Sequence, residues 1–272
     1  MKLSIITVNR NNAEGLRRTL DSVAAQTYHE IEHVIVDGAS TDNSVEVIKE
    51  YVAKVESRNG TKPVDSVLWV SEPDHGVFEA MNKGIKKAKG EYLLFLNSGD
   101  FLIAPDVIDR VMAQCTGADI LCARCNVSDV GKVVWTSNPP EKVTFGTLYT
   151  VGLAHQSTFI KRTLFDTCGL YREDFKYNSD IAFWYKAIVD NKATTQRIDV
   201  ITTDYNLDGI SSKENKDPKF LAEHAEILAP YAMFVPDYED LKGLRRDQIM
   251  WSWVKRHKMV YKMVKLCYKI GR

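Results

Sequence analysis

The first hundred residues alternate between two hydrophobic patterns, and this alternation constrains the fold more than any other feature of the sequence. Short apolar runs rich in β-branched residues predict strands that are buried on both faces. Between these runs, apolar residues such as Leu16, Leu20 and Val23 recur at helical spacing. Short polar connections join the two patterns, so the sequence predicts βαβ units and an α/β fold with a largely parallel sheet. The predicted strands are 3–8, 33–37, 66–72 and 92–97, and the predicted helices are 13–26, 45–55 and 76–88.

Polar residues stand at the carboxyl end of each predicted strand: Asn9 with Arg10, Asp37, Asp74 and Asp100. In parallel α/β sheets, ligands bind outside these strand ends. Carboxylates there suit ribose hydroxyls, base N–H groups and hard divalent cations. We therefore predict a ligand site along this edge. Taken singly, each residue also fits a turn or a helix cap, as Asp37 does with the polar residues that follow it.

Several well-defined sites are excluded by missing motifs. The sequence has no G-x-G-x-x-G after the first strand, no P-loop, no H-E-x-x-H and no G-x-S-x-G. Cys122 and Cys125 form a single CxxC with no second pair, which favours ordinary strand residues over a metal or redox site. The five cysteines are an odd number in a sizeable chain, which predicts a reduced, cytoplasmic protein.

Bulk composition fits a soluble globular protein with a proper core, since 44% of residues are hydrophobic and 26% are charged. The apolar stretch near Met1 is shorter than a secretory signal requires, and no run approaches the length of a membrane span. Basic and acidic residues balance at 36 each, and we expect no nucleic acid partner.

After Asp100 the alternation breaks. A helix is predicted at about 106–115, strands at 119–127, 132–137 and 155–160, a helix at 180–190 and a last strand from 195. Beyond residue 217 the pattern is helical. We predict one domain over 1–216, with a nucleotide-binding part at about 1–100 and an acceptor part at about 101–216. Residues 217–272 then form a helical C-terminal region.

Six segments in order resemble the family-2 inverting glycosyltransferases of the GT-A fold. They are "SIITVNRN", "VDGASTDNS", "EPDHGVFEAMNKGIKKAKGEYLLFLNSGD", "HQSTFIKR", "YNSDIAFWYKA" and "YNLDGIS", within residues 2–212. The resemblance implies a Rossmann-like mixed, mostly parallel sheet flanked by helices. It also implies transfer of a sugar from a nucleotide donor, UDP-linked by expectation, to an acceptor hydroxyl. The acceptor expected from the family is a surface polysaccharide or a lipid-linked glycan at the inner face of the cell membrane.

The resemblance also implies roles for individual residues. Contacts to the nucleotide sugar fall on Val8, Arg10, Asp37, Ser40, Asp74, Asn82, Lys83, Asn97, Ser98 and Gly99. Arg10 is a departure, because relatives often have an aromatic residue there. Asp100 matches the last carboxylate of the metal-binding loop, which implies Mg²⁺ or Mn²⁺ as cofactor. Relatives have the motif D-x-D-D where residues 97–100 of this chain are "NSGD", so Asn97 and Gly99 replace two acids. The Asp100 carboxylate would then hold the ion together with phosphate oxygens and water.

Asp180 matches the family's catalytic base, which takes the proton of the acceptor hydroxyl. Ala182 stands where many relatives have a second acid, so Asp180 is the single candidate. Asp180 also fits a helix N-cap. His155 matches a position near the metal and phosphates, with a structural histidine as the alternative. Because "NSGD" lacks two acids, a non-catalytic nucleotide-sugar-binding module stays open as an alternative function. A nucleotidyltransferase is a third reading.

The C-terminal tail has no acidic residue after Asp247. Its basic residues recur every three or four positions, which predicts one charged stripe on a helix that is otherwise apolar. The stripe consists of Lys255, Lys258, Lys262, Lys265, Lys269 and Arg272. Such a helix in residues 250–272 is typical of contact with an anionic membrane surface, and docking on protein is the alternative.

Overall fold

The computed structural model describes residues 1–57, 64–129, 131–206, 217–236, 239, 250 and 256–257. The chain divides into two compact units, Met1–His224 and Ala225–Arg272. The predicted boundary at residue 216 and most of the basic tail, including its lysine stripe, lie outside the described residues. No helix within the described ranges is long and apolar enough to cross a membrane.

The first half of the larger unit is a parallel sheet, as the alternation predicts. Its strands lie in the order β3, β2, β1, β4, and all three pairings are parallel. The strands are β1 (Leu3–Asn9), β2 (Ile31–Asp37), β3 (Val64–Ser71) and β4 (Tyr92–Phe95). The helices between them are α1 (Ala13–Ala24), α2 (Ser44–Glu56) and α3 (Val77–Lys87). The parallel register brings the carboxyl ends of all four strands to one edge.

The strands β1, β2 and β4 are covered on both faces, which explains why they read as continuous apolar runs, whereas the edge strand β3 is partly exposed. Leu3 and Ile5 of β1 belong to the same buried cluster as Leu16 of α1 and Ile48 of α2. The opposite face meets α3, where a Cβ on Gly84 would lie 2.4 Å from Ile6 Cγ2. Burial of these apolar side chains stabilises the sheet by about 25 cal/mol for each Å² removed from water.

The second half adds antiparallel strands. The strands are β5 (Phe101–Leu102), β6 (Ile120–Asp129), β7 (Lys132–Thr136), β8 (Thr158–Lys161) and β9 (Thr195–Asn206). β8 pairs antiparallel with both β4 and β6, and β6 also pairs antiparallel with β7. β9 pairs parallel with β6 and antiparallel with β5. The helices are α4 (Val107–Gln114), α5 (Phe145–Thr150), α6 (Thr163–Cys168), α7 (Ser179–Trp184) and α8 (Pro218–Leu228).

The predicted fold class, a mixed α/β sheet flanked by helices, is confirmed, with local corrections. His155 lies in a 3₁₀ turn (His155–Ser157) before β8 and not in a strand, because the turn carries the chain into the site. The predicted helix at 180–190 changes to π-helical geometry at Tyr185–Asp190. A further 3₁₀ turn, Ala229–Phe234, follows α8. The elements β5, α5 and α6 were not predicted, since two to six residues carry no readable period.

Cys122 and Cys125 lie in β6 as free, buried thiols. Burial raises the pKa of Cys122 to about 12 and also raises the pKa of Cys125. Reactive thiols have lowered pKa values, so this environment is that of structural cysteines.

Candidate functional site

Asp37 is fully buried at the end of β2, and its carboxylate accepts four hydrogen bonds from neighbouring residues. Its Oδ1 accepts from Asn9 Nδ2 (2.7 Å) and Ser40 Oγ (2.5 Å). Its Oδ2 accepts from the Ser40 N–H (2.9 Å) and Ser71 Oγ (2.6 Å). Burial raises the pKa of Asp37, but the hydrogen bonds from Ser40, Ser71 and Asn9 outweigh burial and the net pKa is lowered. A ligand donor that reaches this ionised carboxylate must displace one of the serine hydroxyls, because its lone pairs are all in use.

The loops that follow β1 and β2 hold each other. The Asn11 N–H donates to Ser40 Oγ (2.8 Å), and Asn11 Oδ1 accepts from the Thr41 N–H (2.7 Å). Asn11 (φ 51°) and Ala39 (φ 52°) both adopt the left-handed region, which is uncommon for residues other than glycine. Such conformations persist only where surrounding contacts enforce them, and they concentrate at functional sites.

Arg10, Gly38 and Asp74 meet at the ends of β1, β2 and β3. A Cβ on Gly38 would lie 2.4 Å from Asp74 Oδ2 and 3.5 Å from Arg10 Cδ, so a larger residue here would displace the Asp74 carboxylate. Burial raises the pKa of Asp74, and the positive charges of Arg10 and Lys83 oppose part of that rise. The Arg10 side chain is exposed.

Lys83, on α3, fixes the segment that carries Asp74. Its Nζ donates to the Pro73 carbonyl (2.7 Å) and lies 3.2 Å from Glu72 Oε1 and 3.3 Å from Glu79 Oε1. The lysine charge is thus balanced by two glutamates and its Nζ holds the loop at Pro73, while the predicted nucleotide contact of Lys83 stays a prediction.

Asn82 is buried on the same helix and faces a different segment. Its Nδ2 donates to the Tyr171 carbonyl (2.8 Å) and to Glu173 Oε1 (2.9 Å), and its Oδ1 accepts from the Tyr171 N–H (3.0 Å). Both ends of the amide are therefore engaged within the protein. The geometry supports a scaffolding contact for Asn82, and the predicted nucleotide contact stays a prediction.

Thr19 of α1 fastens the 97–100 loop that follows β4. Its hydroxyl is fully buried, donates to the Asp100 carbonyl (2.7 Å) and accepts from the Gly99 N–H (3.0 Å). The Gly15 carbonyl, one turn earlier in α1, lies 3.0 Å away as well. The position of Asp100 is therefore set by a helix that is some eighty residues distant in the chain.

Gly99 has φ +108°, a conformation that side chains rarely allow, and this bend returns the loop toward β1. The Ser98 N–H donates to the Val8 carbonyl (3.1 Å), and Asn12 Nδ2 donates to the Ser98 carbonyl (3.1 Å). Val8 thus holds the loop through its backbone, while its side chain is buried.

Asp100 is buried in a mixed charge environment. Burial raises its pKa to about 7, with the charge of Asp204 adding to the rise and those of His155 and Arg18 opposing it. The Arg18 guanidinium stacks on the Phe101 ring at 3.7 Å from the ring centroid. A carboxyl with this pKa readily exchanges its proton for a cation near neutral pH.

His155 connects the 97–100 loop to Asp180. Its Nδ1 lies 3.1 Å from Asp180 Oδ2 and its Nε2 lies 3.3 Å from Asn97 Nδ2. Burial lowers the pKa of His155, but the hydrogen bond and charge of Asp180 and the charge of Asp100 outweigh burial and raise it overall. In the neutral ring that fits these contacts, Nδ1–H donates to the carboxylate and Nε2 accepts from the amide.

Asp180 lies in the first turn of α7, where its Oδ1 accepts from the Ile181 N–H (2.9 Å). The prediction that Asp180 is a helix N-cap is therefore wrong, because the cap residue is Asn178 and Asp180 is the second residue of α7; Asp180 instead belongs to the cluster with His155. Nearby, Tyr171 is buried, and its hydroxyl has no hydrogen-bond partner among the described residues. Burial and the charge of Asp180 raise the pKa of Tyr171 well above its usual value. Polar groups left unpaired in this way are expected where a ligand completes the site.

The donor set at the 97–100 loop fits a hard divalent cation only in part. Within the described ranges, no group of three or more His, Cys, Asp or Glu side chains is arranged to hold a metal ion. The Asp100 carboxylate is available, and Asn97 Oδ1 is buried without a hydrogen-bond partner in the described part of the chain. Oxygen donors of this kind suit Mg²⁺ or Mn²⁺ when phosphate oxygens and water supply the remaining ligands.

The predicted residues thus form two clusters, both near β1. One contains Arg10, Asp37, Ser40 and Asp74, and the other contains Asn97, Asp100, His155 and Asp180. Three residues near these clusters were not predicted from the sequence: Thr19, Tyr171 and Asp204. Thr19 and Asp204 sit inside regular elements with no local signal, and Tyr171 lies in a segment without periodicity.

A parallel sheet with polar clusters at its strand ends is the arrangement in which α/β proteins bind their ligands. The model of "Glycosyl transferase family 2" matches residues 4–177, and the chain belongs to this family. A PGL/p-HBAD biosynthesis glycosyltransferase of Mycobacterium bovis is 30% identical over 231 residues, covering 80% of this chain and 82% of the relative. An uncharacterized glycosyltransferase of Mycobacterium tuberculosis is 29% identical over 223 residues, or 80% of each chain.

Solved glycosyltransferases share the fold. TarS of Staphylococcus aureus superposes with a TM-score of 0.60 at 21% identity, over 76% of this chain and 37% of that one. A structure of its residues 1–349 in complex with UDP-GlcNAc gives a TM-score of 0.59 at 22% identity, over 76% and 58% of the chains. The mannosyltransferase PcManGT of Pyrobaculum calidifontis, in complex with GDP-Man and Mn²⁺, gives 0.55 at 17% identity, over 74% and 56%. This chain therefore spans well under two thirds of these structural neighbours, and the likeness is one of fold.

Proposed function

We propose that this chain is an inverting glycosyltransferase that moves a sugar from a UDP-linked donor to a hydroxyl group of a glycan acceptor. The observation that carries the proposal is the His155 bridge, with Asp180 on one ring nitrogen and Asn97 on the other. It joins the candidate base to the loop that holds the candidate phosphate and metal ligands. A non-catalytic binding module would not need a partly buried carboxylate paired with a histidine beside that loop.

The donor nucleoside is proposed to lie across the ends of β1, β2 and β3. Asp37 would accept from the uracil N–H or a ribose hydroxyl after displacing a serine hydroxyl, and Ser40 would remain as a second polar contact. Arg10 is exposed beside Asp74 and would stack on the base or bond it. The complexes of TarS with UDP and with UDP-GlcNAc support a UDP-linked donor for this fold.

A divalent cation, Mg²⁺ or Mn²⁺, would neutralise the charge of the departing diphosphate as a Lewis acid when bound. The Asp100 carboxylate and the unpaired Asn97 Oδ1 would hold it. Gly99, which has no side chain, leaves the backbone of the loop open to the diphosphate. The Mn²⁺ in the PcManGT complex supports such a role.

Asp180 is proposed to take the proton of the acceptor hydroxyl as that oxygen attacks the anomeric carbon. Help of this kind is typically worth about 10²–10⁴ in rate. Neutral His155 would donate its Nδ1–H to Oδ2 of Asp180 and so orient the carboxylate, while Oδ1, which accepts from the Ile181 N–H, would use its second lone pair for the acceptor hydroxyl. A single displacement assisted by one carboxylate base inverts the anomeric configuration, which is why we propose an inverting enzyme.

The acceptor is proposed to be a glycan or a lipid-linked glycan of the cell surface. The glycosyltransferase of PGL/p-HBAD biosynthesis supports a glycolipid or polysaccharide pathway. A location at the inner face of the membrane, held by the basic stripe in residues 250–272, is a prediction from the sequence that falls largely outside the described residues.

A donor panel tests the proposal. The protein is incubated with UDP-hexoses, UDP-N-acetylhexosamines and GDP-mannose, each with Mn²⁺, with Mg²⁺ and with chelator, and released nucleoside diphosphate is measured. We expect turnover of a UDP-sugar, stimulated by the cation and lost in Asp180→Asn. Binding of UDP-sugars without turnover under any condition, even with a panel of glycan acceptors, would favour the binding-module alternative instead.

A further inference from the structure

Glu223 is a buried carboxylate that serves no part of the chemistry described above. It lies in α8 and is 4% exposed. Its Oε1 accepts from the Lys176 N–H (2.6 Å), and its Oε2 accepts from the N–H groups of Tyr177 and Asn178 (3.0 Å each). Three consecutive backbone donors therefore converge on one side chain, in the way that backbone nests bind anions.

Two further contacts join the same segments. Asn178 Nδ2 donates to the Phe220 carbonyl (3.0 Å), and the Tyr177 hydroxyl donates to Asp217 Oδ2 (2.7 Å). Residues 217–223 are thus hydrogen-bonded to residues 176–178 through both backbone and side-chain groups. All of these residues belong to the unit Met1–His224.

The segment held in this way leads directly into Asp180. Asn178 is the N-cap residue of α7, yet its side chain makes no capping hydrogen bond and reaches toward α8 instead. Ser179 Oγ and Asn178 Oδ1 are buried without hydrogen-bond partners in the part of the chain that the structure describes. The carboxylate of Glu223 therefore binds three successive backbone N–H groups of this segment, while Asn178 adds no capping hydrogen bond to α7.

We infer that Glu223 is a positioning residue for catalysis. Its hydrogen bonds fix the backbone of residues 176–178 and thereby the position of Asp180. The Asp180 carboxylate is then kept within hydrogen-bond distance of His155 and of the acceptor hydroxyl. The inference rests on the proposed function, because it assigns Glu223 to the placement of the proposed base. Catalytic geometry is sensitive to such support, since a misplacement of about 1 Å can cost about 10²-fold in rate.

The test compares Glu223→Gln with Glu226→Gln, which makes the same change at an exposed position of the same helix. Glutamine keeps the size but faces three N–H donors with one oxygen and one donor group. We expect kcat to fall by about 10- to 100-fold for Glu223→Gln, while the donor KM and the Kd for UDP stay within about twofold. Glu226→Gln should match the wild type in all three.

A double variant separates positioning from general damage. If Glu223 acts through Asp180, adding Glu223→Gln to the Asp180→Asn variant should lower its remaining kcat by less than about twofold. An equal fold-loss in both backgrounds would overturn the inference, and so would a Glu223→Gln enzyme as active as Glu226→Gln. Loss of UDP affinity together with cooperative unfolding would also overturn it, because that pattern marks a general structural role.

Hydrogen exchange gives a readout that needs no activity. Glu223→Gln should speed amide exchange in 176–184 while the 97–100 loop keeps its protection, and unchanged exchange in 176–184 would overturn the inference. Glu223→Asp, one methylene shorter with its charge kept, replaces the glutamine variant if the latter does not fold, with the same expectations. Normal transfer by Asp180→Asn alone would instead refute the proposed base, and exchange would still report on the Glu223 hydrogen bonds separately.

Discussion

Replacing Thr19 by valine should loosen the 97–100 loop without changing the volume of the side chain. The Thr19 hydroxyl is fully buried and contributes one donated bond to the Asp100 carbonyl and one accepted bond from the Gly99 N–H. Valine leaves both backbone groups without a partner. Each buried group left unsatisfied costs about 1–3 kcal/mol, so for the two groups together we expect the free energy of unfolding to fall by roughly 2–6 kcal/mol.

The same change should weaken the binding of UDP in the presence of Mn²⁺, because Asp100 and Asn97 lose their fixed positions. Urea unfolding and calorimetric titration of UDP measure the two effects. Thr167→Val, at an exposed position where the hydroxyl lies against carbonyls of its own helix, is the matched control and should change stability by less than about 0.5 kcal/mol. The reasoning is refuted if Thr19→Val is as stable as the control, or if it is destabilised yet binds UDP with wild-type affinity.

Three further predictions concern Asp37, Asp100 and His33. Asp37→Asn should weaken UDP binding by about 1–3 kcal/mol in calorimetry relative to Asp65→Asn, an exposed change on β3, and equal affinities would remove Asp37 from the site. UDP should bind more tightly with Mn²⁺ than with chelator, and Asp100→Ala should erase the difference. Burial raises the pKa of Asp100 to about 7, so protons compete with Mn²⁺ for this carboxylate below pH 7. The increase in UDP affinity that Mn²⁺ causes should therefore fall about tenfold for each pH unit below 7, and an increase independent of pH would contradict this. Burial lowers the pKa of His33 to about 3, so the unfolded state, with a histidine pKa near 6.5, takes up the proton first. The free energy of unfolding should therefore drop by about 1.4 kcal/mol per pH unit as pH falls below about 6.5, and urea unfolding of His33→Gln should lack that component of the slope.

The first four strands and three helices follow from local pattern alone. Three of these strands are buried on both faces, the partly exposed β3 is still rich in β-branched residues, and the helices present one apolar face, so period and turn residues suffice to locate them. The edge at which Asp37, Asp74 and Asp100 would gather followed from the same reasoning, because a parallel register brings strand ends together.

Contacts between distant segments could not be predicted in this way. The hydroxyl of Thr19 meets a loop some eighty residues away, and Glu223 meets residues forty-five to forty-seven positions earlier. Neither residue differs in local context from an ordinary helix residue. The pattern of 155–160 predicts a strand because its apolar residues belong to β8, but the strand begins at Thr158, since the tertiary fold bends the chain into a 3₁₀ turn at His155–Ser157.

The most direct test of the central claim is the transfer reaction of Asp180→Asn. Asparagine keeps the size and the oxygen that accepts from the Ile181 N–H, but it lacks the basicity needed to take a proton. The account predicts that turnover falls by about 10²–10⁴ while the Kd for UDP is unchanged, and that the wild-type product has the inverted anomeric configuration. Near-normal transfer by the variant, or a product that retains the donor's configuration, would contradict the assignment of Asp180 as the single base.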